Sequence, residues 1–306
     1  MSGYAGSGVA FLTSPYISGA NVTAKDVENR NSLSKEFVGE LQTGIQNVVY
    51  FGAAIATVSF LMIVIYFPPR PPTPPSRSQT REREDFWSGI KHLLQNGHFW
   101  LLNIAFNLPN GTFNAWIPLC SVNFRSLGVD EVTAGWVGFT SMISSVIGSV
   151  VMSAVIDRMK RRMKLSCIIL GTLSLVILAI LVCIQEHYIY VPKEAVTAVV
   201  YVLCISASLC INGAIPIYYE MGCELAFPVH EGLTCSLLTL TNNLFGMMFF
   251  LIFLVPSLAA NTEWMTWVCV GTCGLTTPLL LFMKERFSRL DIEDSGRSSP
   301  SVTIET

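Results

Sequence analysis

The chain has 306 residues, 51% of them apolar and only 13% charged, with a formal net charge of −2. A soluble domain carries about 25% charged residues, so this composition excludes an ordinary soluble protein. The small net charge indicates little about partners. We expect the lipid bilayer, and not nucleic acid, to be the main partner of the surface.

Seven windows that lack Asp, Glu, Lys and Arg predict membrane spans. They cover residues 48–67, 99–124, 132–156, 165–185, 195–219, 232–262 and 264–283. About 20 apolar residues cross a bilayer core as a helix, and in lipid each backbone polar group must be satisfied within its element. The sequence therefore predicts an all-α multi-pass membrane protein with seven full transmembrane helices.

Residues 1–24 are also uncharged but are rich in Gly and Ser. The stretch SGYAGSGVAFLTSP fits the outer end of another helix, whose small residues would allow close helix packing. It has neither a basic start nor a clean apolar core, so it is a poor signal peptide. We predict part of one more helix here.

The positions of Lys and Arg predict the orientation. If the loops alternate between the two sides, 14 of the 19 basic residues fall on one side, which includes residues 68–98, 157–164 and the tail from Lys284. The positive-inside rule makes that side cytoplasmic. Asn21, in a glycosylation sequon, then lies on the opposite side and is the predicted glycosylation site.

All nine cysteines lie in or beside the predicted spans, so we predict no disulfides. Cys269 and Cys273 share a helix face without His or carboxylate neighbours, which favours apolar packing over a metal site. The sequence contains no evident Ser-His-Asp set, metal cluster or phosphate-binding loop. We therefore expect no catalytic residue, no metal and no cofactor, and a protein that is not an enzyme.

Residues 68–85, PPRPPTPPSRSQTRERED, form the predicted cytoplasmic linker. The prolines favour extended polyproline II and the charges keep the segment solvated. A plain spacer is the favoured interpretation, and an SH3-type ligand is the alternative. Residues 86–100, FWSGIKHLLQNGHFW, have apolar residues at helical spacing and are predicted to lie along the membrane surface.

Six predicted spans follow the linker in pairs with short loops. Six helices form one half of a major-facilitator-type transporter, in which two such halves hold the substrate between them. We assign residues 1–67 to the remnant of an N-terminal half, 68–98 to the linker, 99–284 to the C-terminal half and 285–306 to a disordered cytoplasmic tail. The fold class is therefore a partial major facilitator fold, and we expect about four helices of the first half to be absent.

Residues 148–164, GSVVMSAVIDRMKRRMK, resemble the major-facilitator loop signature, in which a small residue precedes Asp-Arg and a basic cluster. The matching residues are Ser153, Asp157, Arg158, Lys160, Arg161 and Arg162. Two roles stay open. The loop could act as a cytoplasmic gate, or it could anchor the helix ends as the positive-inside rule requires.

Longer stretches resemble solute carrier family 49. They are YFPPRPPTPPS at 66–76, VDEVTAGWVGF at 129–139, INGAIPIYYEMGCELAFPVHEGLTCSLLT at 211–239 and KERFSRLDIE at 284–293. The resemblance implies a membrane transporter of small metabolites, with proton-driven movement of pyridoxine as the leading assignment. It implies the lysosome as its location, with the plasma membrane as the alternative. Other members of the family are associated with choline, ethanolamine or haem.

Four asparagines at positions 103, 107, 110 and 114 share one helix face within the span 99–124. An amide buried in hydrocarbon without a partner costs several kcal/mol, so this face should meet protein or a wet cavity. Pro109 removes a helix hydrogen bond and Gly111 loosens the turn, which predicts a helix break near Asn110. Broken helices expose groups to substrate; the alternative is hydrogen bonding between helices.

The family resemblance implies two substrate contacts, Asn114 and Asn243. Asn114 stands where the choline-transporting relatives have a tyrosine, and Asn243 where they have a glutamine. A cage for a quaternary ammonium needs aromatic faces, which Asn114 does not supply, whereas two amides suit a hydroxylated heteroaromatic ring such as pyridoxine. The further substrate-binding candidates are Asn107, Trp116, Asn212, Tyr218 and Asn242.

No charged side chain lies deep in a predicted span, although intramembrane carboxylates are the usual proton relays. The nearest candidates are Glu220 and Glu224, at i and i+4 near the cytoplasmic end of the fifth full span. They could form an inner gate with the basic residues at 158–162. The alternative, favoured for Glu224, is a solvated acidic loop. Asp130 and Glu131 lie at an outer loop and are predicted to cap the next helix.

Two functions from different classes stay open. The first is a transporter that moves a small molecule by alternating access, with protons as the coupling ion. The second is a truncated product without transport, which acts as a regulatory or interaction partner of a longer protein. The missing helices discriminate between them, because a major-facilitator cavity needs both halves.

Overall fold

The computed structural model describes residues 6, 35–66, 85–158, 160–255, 258 and 262–285. These residues are predominantly helical and contain no strand, which confirms the predicted all-α class. The predictions for residues 1–24, for the glycosylation site Asn21 and for the tail from residue 286 lie outside the described residues, residue 6 aside. Most of the proline-rich linker lies outside them as well.

The chain divides into two compact units, residues 2–74 and residues 75–306. In the first unit, α1 spans Lys35–Ile65, and its stretch Gln42–Ile65 is long and apolar enough to cross a membrane. The hydroxyls of Thr57 and Ser59 donate to the carbonyls of Ala53 and Ile55, 2.8 and 2.9 Å away. The helix thus satisfies these polar groups internally, as a bilayer requires.

The second unit contains the remaining described helices. They are α2 Phe86–Gln95, α3 Gly97–Trp116, α4 Cys120–Asn123, α5 Glu131–Arg158, α6 Met163–Gln185, α7 Lys193–Gly213, α8 Ile215–Ala226, α9 Glu231–Leu251 and α10 Trp264–Phe282. A 3-10 turn, Ile117–Leu119, connects α3 to α4. Helix α2 is the amphipathic segment that the sequence predicts. Asn96 lies between α2 and α3, and its side chain accepts a hydrogen bond from the Phe99 amide at the start of α3.

Among the described residues, six stretches are long and apolar enough to cross a membrane, whereas the sequence predicts seven. They are Gln42–Ile65, Val132–Ile156, Met163–Gln185, Lys193–Ala226, Glu231–Leu251 and Trp264–Phe282. The predicted span 99–124 is helical, as α3 followed by α4, but its asparagines make it more polar. Its polar residues face protein, since 13 of the 20 residues of α3 are buried.

Helix α3 lies between α9 and α10, with which it makes extensive contacts, while α5 packs along α7 and α6 packs against both α7 and α10. The backbones of α5 and α7 meet at two glycines. A Cβ atom added to Gly213 would lie 3.3 Å from the Gly148 backbone carbon, and one added to Gly148 would lie 3.0 Å from the Leu209 carbonyl oxygen. Small residues allow this close approach of membrane helices.

The predicted helix break near Asn110 is wrong, because α3 continues through Pro109. Pro109 has no amide hydrogen, so the Ala105 carbonyl one turn earlier loses its usual donor. The Thr276 hydroxyl of α10 donates to that carbonyl over 3.1 Å. Gly111 does not loosen the turn; it lets α9 approach, because an added Cβ would collide with the Asn242 carbonyl oxygen.

The interruption occurs instead in the span Lys193–Ala226, where α7 ends at Gly213 and α8 begins at Ile215. Pro216, in the first turn of α8, cannot donate to the Asn212 carbonyl. The Ser149 hydroxyl of α5 donates to that carbonyl over 3.0 Å. A hydroxyl from a neighbouring helix therefore compensates for the missing donor at Pro109 and at Pro216. Pro109 is next to Asn110, and Pro216 lies one helical turn after Asn212.

Candidate functional site

Asn110 is the centre of a polar network between helices. Its Nδ2 donates to Asn212 Oδ1 over 2.9 Å. Its Oδ1 accepts from Asn114 Nδ2 at 3.0 Å and from Asn242 Nδ2 at 2.7 Å. Asn110 itself is only 2% exposed. One buried amide thus connects α3 to α7 and to α9.

The network extends to a fourth helix through Asn212. Asn212 Nδ2 donates to Ser145 Oγ over 2.9 Å, and Ser145 donates in turn to the Ser141 carbonyl. Together with the bond from Ser149 to the Asn212 carbonyl, this fixes α5 against the last turn of α7, just before the interruption at Ala214. The network therefore lies where one membrane span changes from α7 to α8.

A second network occupies the other half of the asparagine stripe. Asn103 Nδ2 donates to Thr241 Oγ1 of α9 over 3.2 Å, and Asn107 Nδ2 donates to Asn103 Oδ1. Asn107 is fully buried, and its Oδ1 has no hydrogen-bond partner among the described residues. Asn103 accordingly joins α3 to α9, and Asn107 retains an acceptor in the interior.

The structure brings three predicted substrate residues together, because Asn114, Asn212 and Asn242 all bond to Asn110. Asn114 and Asn242 are half-buried and mark the edge of this network. Asn243 is exposed on α9, and its Nδ2 donates to the Thr239 carbonyl of its own helix, 3.0 Å away. Its side chain therefore points away from the network that Asn242 joins.

The two aromatic candidates are packed inside the helix bundle. Trp116 is fully buried, its Nε1 donates to Thr266 Oγ1 over 3.2 Å, and its ring stacks on Phe113 with centroids 5.6 Å apart. Tyr218 is buried and stacks on Phe106 with centroids 4.5 Å apart and an interplanar angle of 17°. Both rings are buried and already stack on another aromatic ring.

A small cavity lies beside the first network, lined on α3 by Pro109 and Asn110 and on α8 by Tyr218. About 20 Å³ of it is open to the centre of a water molecule. That is room for a single water, not for an organic molecule. A larger ligand therefore does not fit into this cavity.

Sequence reasoning missed Asn110, Ser145 and Ser149 as members of the site. Asn110 lies in the asparagine stripe, but the sequence predicts a helix break there rather than a substrate contact. Ser141, Ser145 and Ser149 repeat every four residues, which places them on one face of α5 and is a signal present in the sequence. What the sequence does not provide is the partner of this face, since Asn212 lies 67 residues beyond Ser145.

The structure describes the side chains of some residues of the predicted cytoplasmic gate. Glu224 is only 2% exposed, so the interpretation as a solvated loop is wrong; α8 extends through this position and carries the side chain into the packed end of the bundle. Glu220 is half-buried on the same helix, whereas Arg158, Arg161 and Arg162 are exposed. The side chains of Asp157 and Lys160 lie outside the described part. Pairing between the acidic and basic groups stays a prediction.

Asp130 caps α5 as the sequence predicts. Its Oδ2 accepts from the Thr133 amide at 3.0 Å, and its Oδ1 accepts from the Thr133 hydroxyl at 2.6 Å. These hydrogen bonds from Thr133 lower the pKa of the Asp130 carboxyl below its usual value, since they stabilise the charged form. The side chain of Glu131 is outside the described residues.

Comparison with known proteins decides the family. The model of the Major Facilitator Superfamily matches residues 3–249. The chain belongs to the major facilitator superfamily. The six apolar stretches that could cross a membrane among the described residues, one in α1 and five between α5 and α10, are consistent with a partial fold of this kind. The family consists of transporters rather than enzymes.

Individual relatives of this major facilitator chain are named as members of solute carrier family 49, the family that the sequence resembles. The chain is 28% identical over 294 residues to the solute carrier family 49 member 4 homolog of Xenopus tropicalis, covering 96% of this chain and 63% of the relative. The protein of that name from Xenopus laevis is 28% identical over 296 residues, with the same coverage. The choline/ethanolamine transporter FLVCR2 of Homo sapiens is 27% identical over 252 residues, covering 80% of this chain and 44% of the relative. These names confirm the resemblance to family 49, and the chain spans about 63% of the length of the first two relatives.

Proposed function

We propose that this chain is part of a membrane transporter that moves a small polar organic molecule by alternating access. One observation carries the proposal: four asparagines from three helices converge at Asn110, beside the interruption between α7 and α8. Discontinuous membrane helices with nearby polar groups form binding sites in transporters. The substrate would contact the edge of this network, where Asn114 and Asn242 are half-buried.

The substrate class that these groups suit is a hydroxylated heteroaromatic molecule of the pyridoxine type. Each amide offers both a donor and an acceptor, which matches hydroxyls and a ring nitrogen. Asn243, exposed on α9 next to Asn242, would supply a further contact. Asn107, Asn212, Tyr218 and Trp116 would support the site from within the helix bundle.

Choline or ethanolamine is the second candidate, favoured by the names of relatives such as human FLVCR2. A quaternary ammonium is held by aromatic faces. In this half of the protein Trp116 packs on Phe113, and Tyr218 packs on Phe106. This packing favours the pyridoxine-type substrate over the cation.

Proton coupling across the lysosomal membrane is the further part of the proposal. The group that supports it is Glu224, a carboxyl that is 2% exposed at the end of α8, because a buried carboxyl is a typical proton carrier in transporters. Glu220 with Asp157, Arg158, Arg161 and Arg162 would form the cytoplasmic gate.

Uptake into proteoliposomes tests the proposal. The chain is reconstituted, an inward proton gradient is imposed, and uptake of labelled pyridoxine is compared with uptake into empty liposomes. Uptake that requires the gradient, and that excess choline does not inhibit, is the expected result. Inhibition by choline would favour the second candidate. The absence of uptake above empty liposomes would contradict transport by this chain and favour the regulatory partner, since the chain spans 63% of its relatives' length.

A further inference from the structure

Two cysteines on adjacent helices have their sulfur atoms in contact. Cys223 lies on α8 and Cys235 on α9, and their Sγ atoms are 3.9 Å apart. Both side chains are half-buried, and both are free thiols. A disulfide requires a sulfur separation of about 2 Å, so the two sulfurs need to approach by about the length of one covalent bond.

A second contact fixes the register of these helices. One turn along the same interface, the Tyr219 hydroxyl and Thr239 Oγ1 are 2.8 Å apart. Tyr219 precedes Cys223 by four residues and Thr239 follows Cys235 by four, as expected for antiparallel helices. The packing of α8 on α9 therefore places Cys223 and Cys235 at facing positions of the two helices.

Most of the other cysteines differ in their surroundings. Six are buried: Cys120, Cys167, Cys204, Cys210, Cys269 and Cys273. Cys183, in α6, is half-buried. Oxidants react with thiols that they can reach, so exposure and proximity together distinguish the pair on α8 and α9.

We propose that Cys223 and Cys235 form a redox modification site, which a hydroperoxide converts to a disulfide. One thiolate attacks the peroxide, forming a sulfenic acid and releasing water when the oxidant is hydrogen peroxide. The second thiol attacks that sulfur, forms the S–S bond and displaces a second water. Two electrons pass from the thiols to the peroxide, and a dithiol reductant reverses the modification.

The disulfide would act on the interrupted span. Helix α8 is the segment that follows the interruption at Ala214, and α9 carries Asn242, which bonds to Asn110. Oxidation would join α8 covalently to α9 and remove any independent movement of the two helices at this end. This inference concerns the chemistry of the thiols and does not depend on the proposed substrate.

Peptide mapping of the full chain in detergent tests the inference. The protein is treated with hydrogen peroxide, the remaining thiols are blocked with N-ethylmaleimide, and the denatured chain is digested with an endoproteinase that cleaves after Glu. Cleavage after Glu220, Glu224, Glu231 and Glu263 places Cys223 in residues 221–224 and Cys235 in residues 232–263, with no other cysteine in either peptide. The two peptides should appear as one disulfide-linked species that dithiothreitol separates.

The variants provide matched controls. Cys223→Ser and Cys235→Ser should each abolish the linked species, and Cys183→Ser should leave it unchanged. Both peptides recovered only with N-ethylmaleimide or sulfonic acid on their cysteines would overturn the proposal, as would linkage of either peptide to a different cysteine. The wild-type map alone decides the question, so the result does not depend on the folding of a variant.

Discussion

The Thr276 hydroxyl donates a hydrogen bond to the Ala105 carbonyl, 3.1 Å away, at the position where Pro109 provides no amide hydrogen. The bond between Ser149 and the Asn212 carbonyl plays the same part for Pro216. Two prolines in membrane helices are thus each matched by a hydroxyl on a different helix. The helix geometry here depends on tertiary partners, and removal of a partner should be measurable.

Thr276→Val should lower the free energy of unfolding by about 1–3 kcal/mol, because a buried carbonyl loses its donor while the side-chain volume is preserved. The measurement is chemical or thermal unfolding in detergent. Thr140→Val is the control, since that hydroxyl bonds to the Trp136 and Val137 carbonyls within its own helix. Equal effects of the two substitutions would contradict a special role for Thr276.

Asn110→Leu should destabilise the chain by about 2 kcal/mol, since three hydrogen bonds of about 0.6 kcal/mol each are lost in a membrane protein. The same unfolding measurement applies. Asn243→Leu, on the exposed face of α9, should change stability by less than about 0.5 kcal/mol. If the second substitution costs as much as the first, Asn110 is not the centre of the stabilising network.

Asn243→Ala should reduce pyridoxine uptake while leaving the unfolding temperature unchanged. The reason is that its side chain is exposed and bonds only to the Thr239 carbonyl among the described hydrogen bonds. Uptake into proteoliposomes and thermal unfolding are measured on the same preparation. Unchanged uptake would remove Asn243 from the proposed site.

Glu224→Gln should abolish the dependence of uptake on the proton gradient, because glutamine keeps the size of the buried side chain but cannot carry a proton. Glu194→Gln is the control, as Glu194 is exposed in the first turn of α7. Uptake is measured with and without the gradient. A Glu224→Gln protein that still responds to the gradient like the wild type would exclude this carboxyl as the coupling group.

Asp130→Ala should lower stability by about 1 kcal/mol through the loss of a helix cap, and Asp130→Ser should retain most of it. The pKa of Asp130 is lowered in the folded state, so the cap stabilises the fold above the unfolded pKa of about 3.9. Its contribution is lost as the pH falls through the lower folded value. The free energy of unfolding is measured for the wild type and for Asp130→Ala between neutral and strongly acidic pH. The difference between the two proteins should disappear only at the acidic end.

The sequence was sufficient for six of the seven predicted apolar spans and for the cap at Asp130, because charge-free windows and capping residues are local signals. It was insufficient for the helix interruption. Pro109 and Pro216 are similar local signals, yet α3 continues through the first while the span is interrupted before the second. Each carbonyl left without a donor is met by a hydroxyl far along the chain: Thr276 is 171 residues from Ala105, and Ser149 is 63 residues from Asn212. The same holds for Glu224, whose burial depends on how α8 packs.

The meeting of Gly148 and Gly213 has a consequence for natural variation. The atoms closest to an added Cβ are backbone, the Leu209 carbonyl oxygen at Gly148 and the Gly148 carbonyl carbon at Gly213, and backbone cannot rotate away. Even alanine would therefore need the two helices to separate by a few tenths of an ångström. Missense changes at these two positions should therefore reduce the amount of protein that survives cellular quality control. Such alleles would be recognised by a reduced amount of the protein in membranes, without a transport assay.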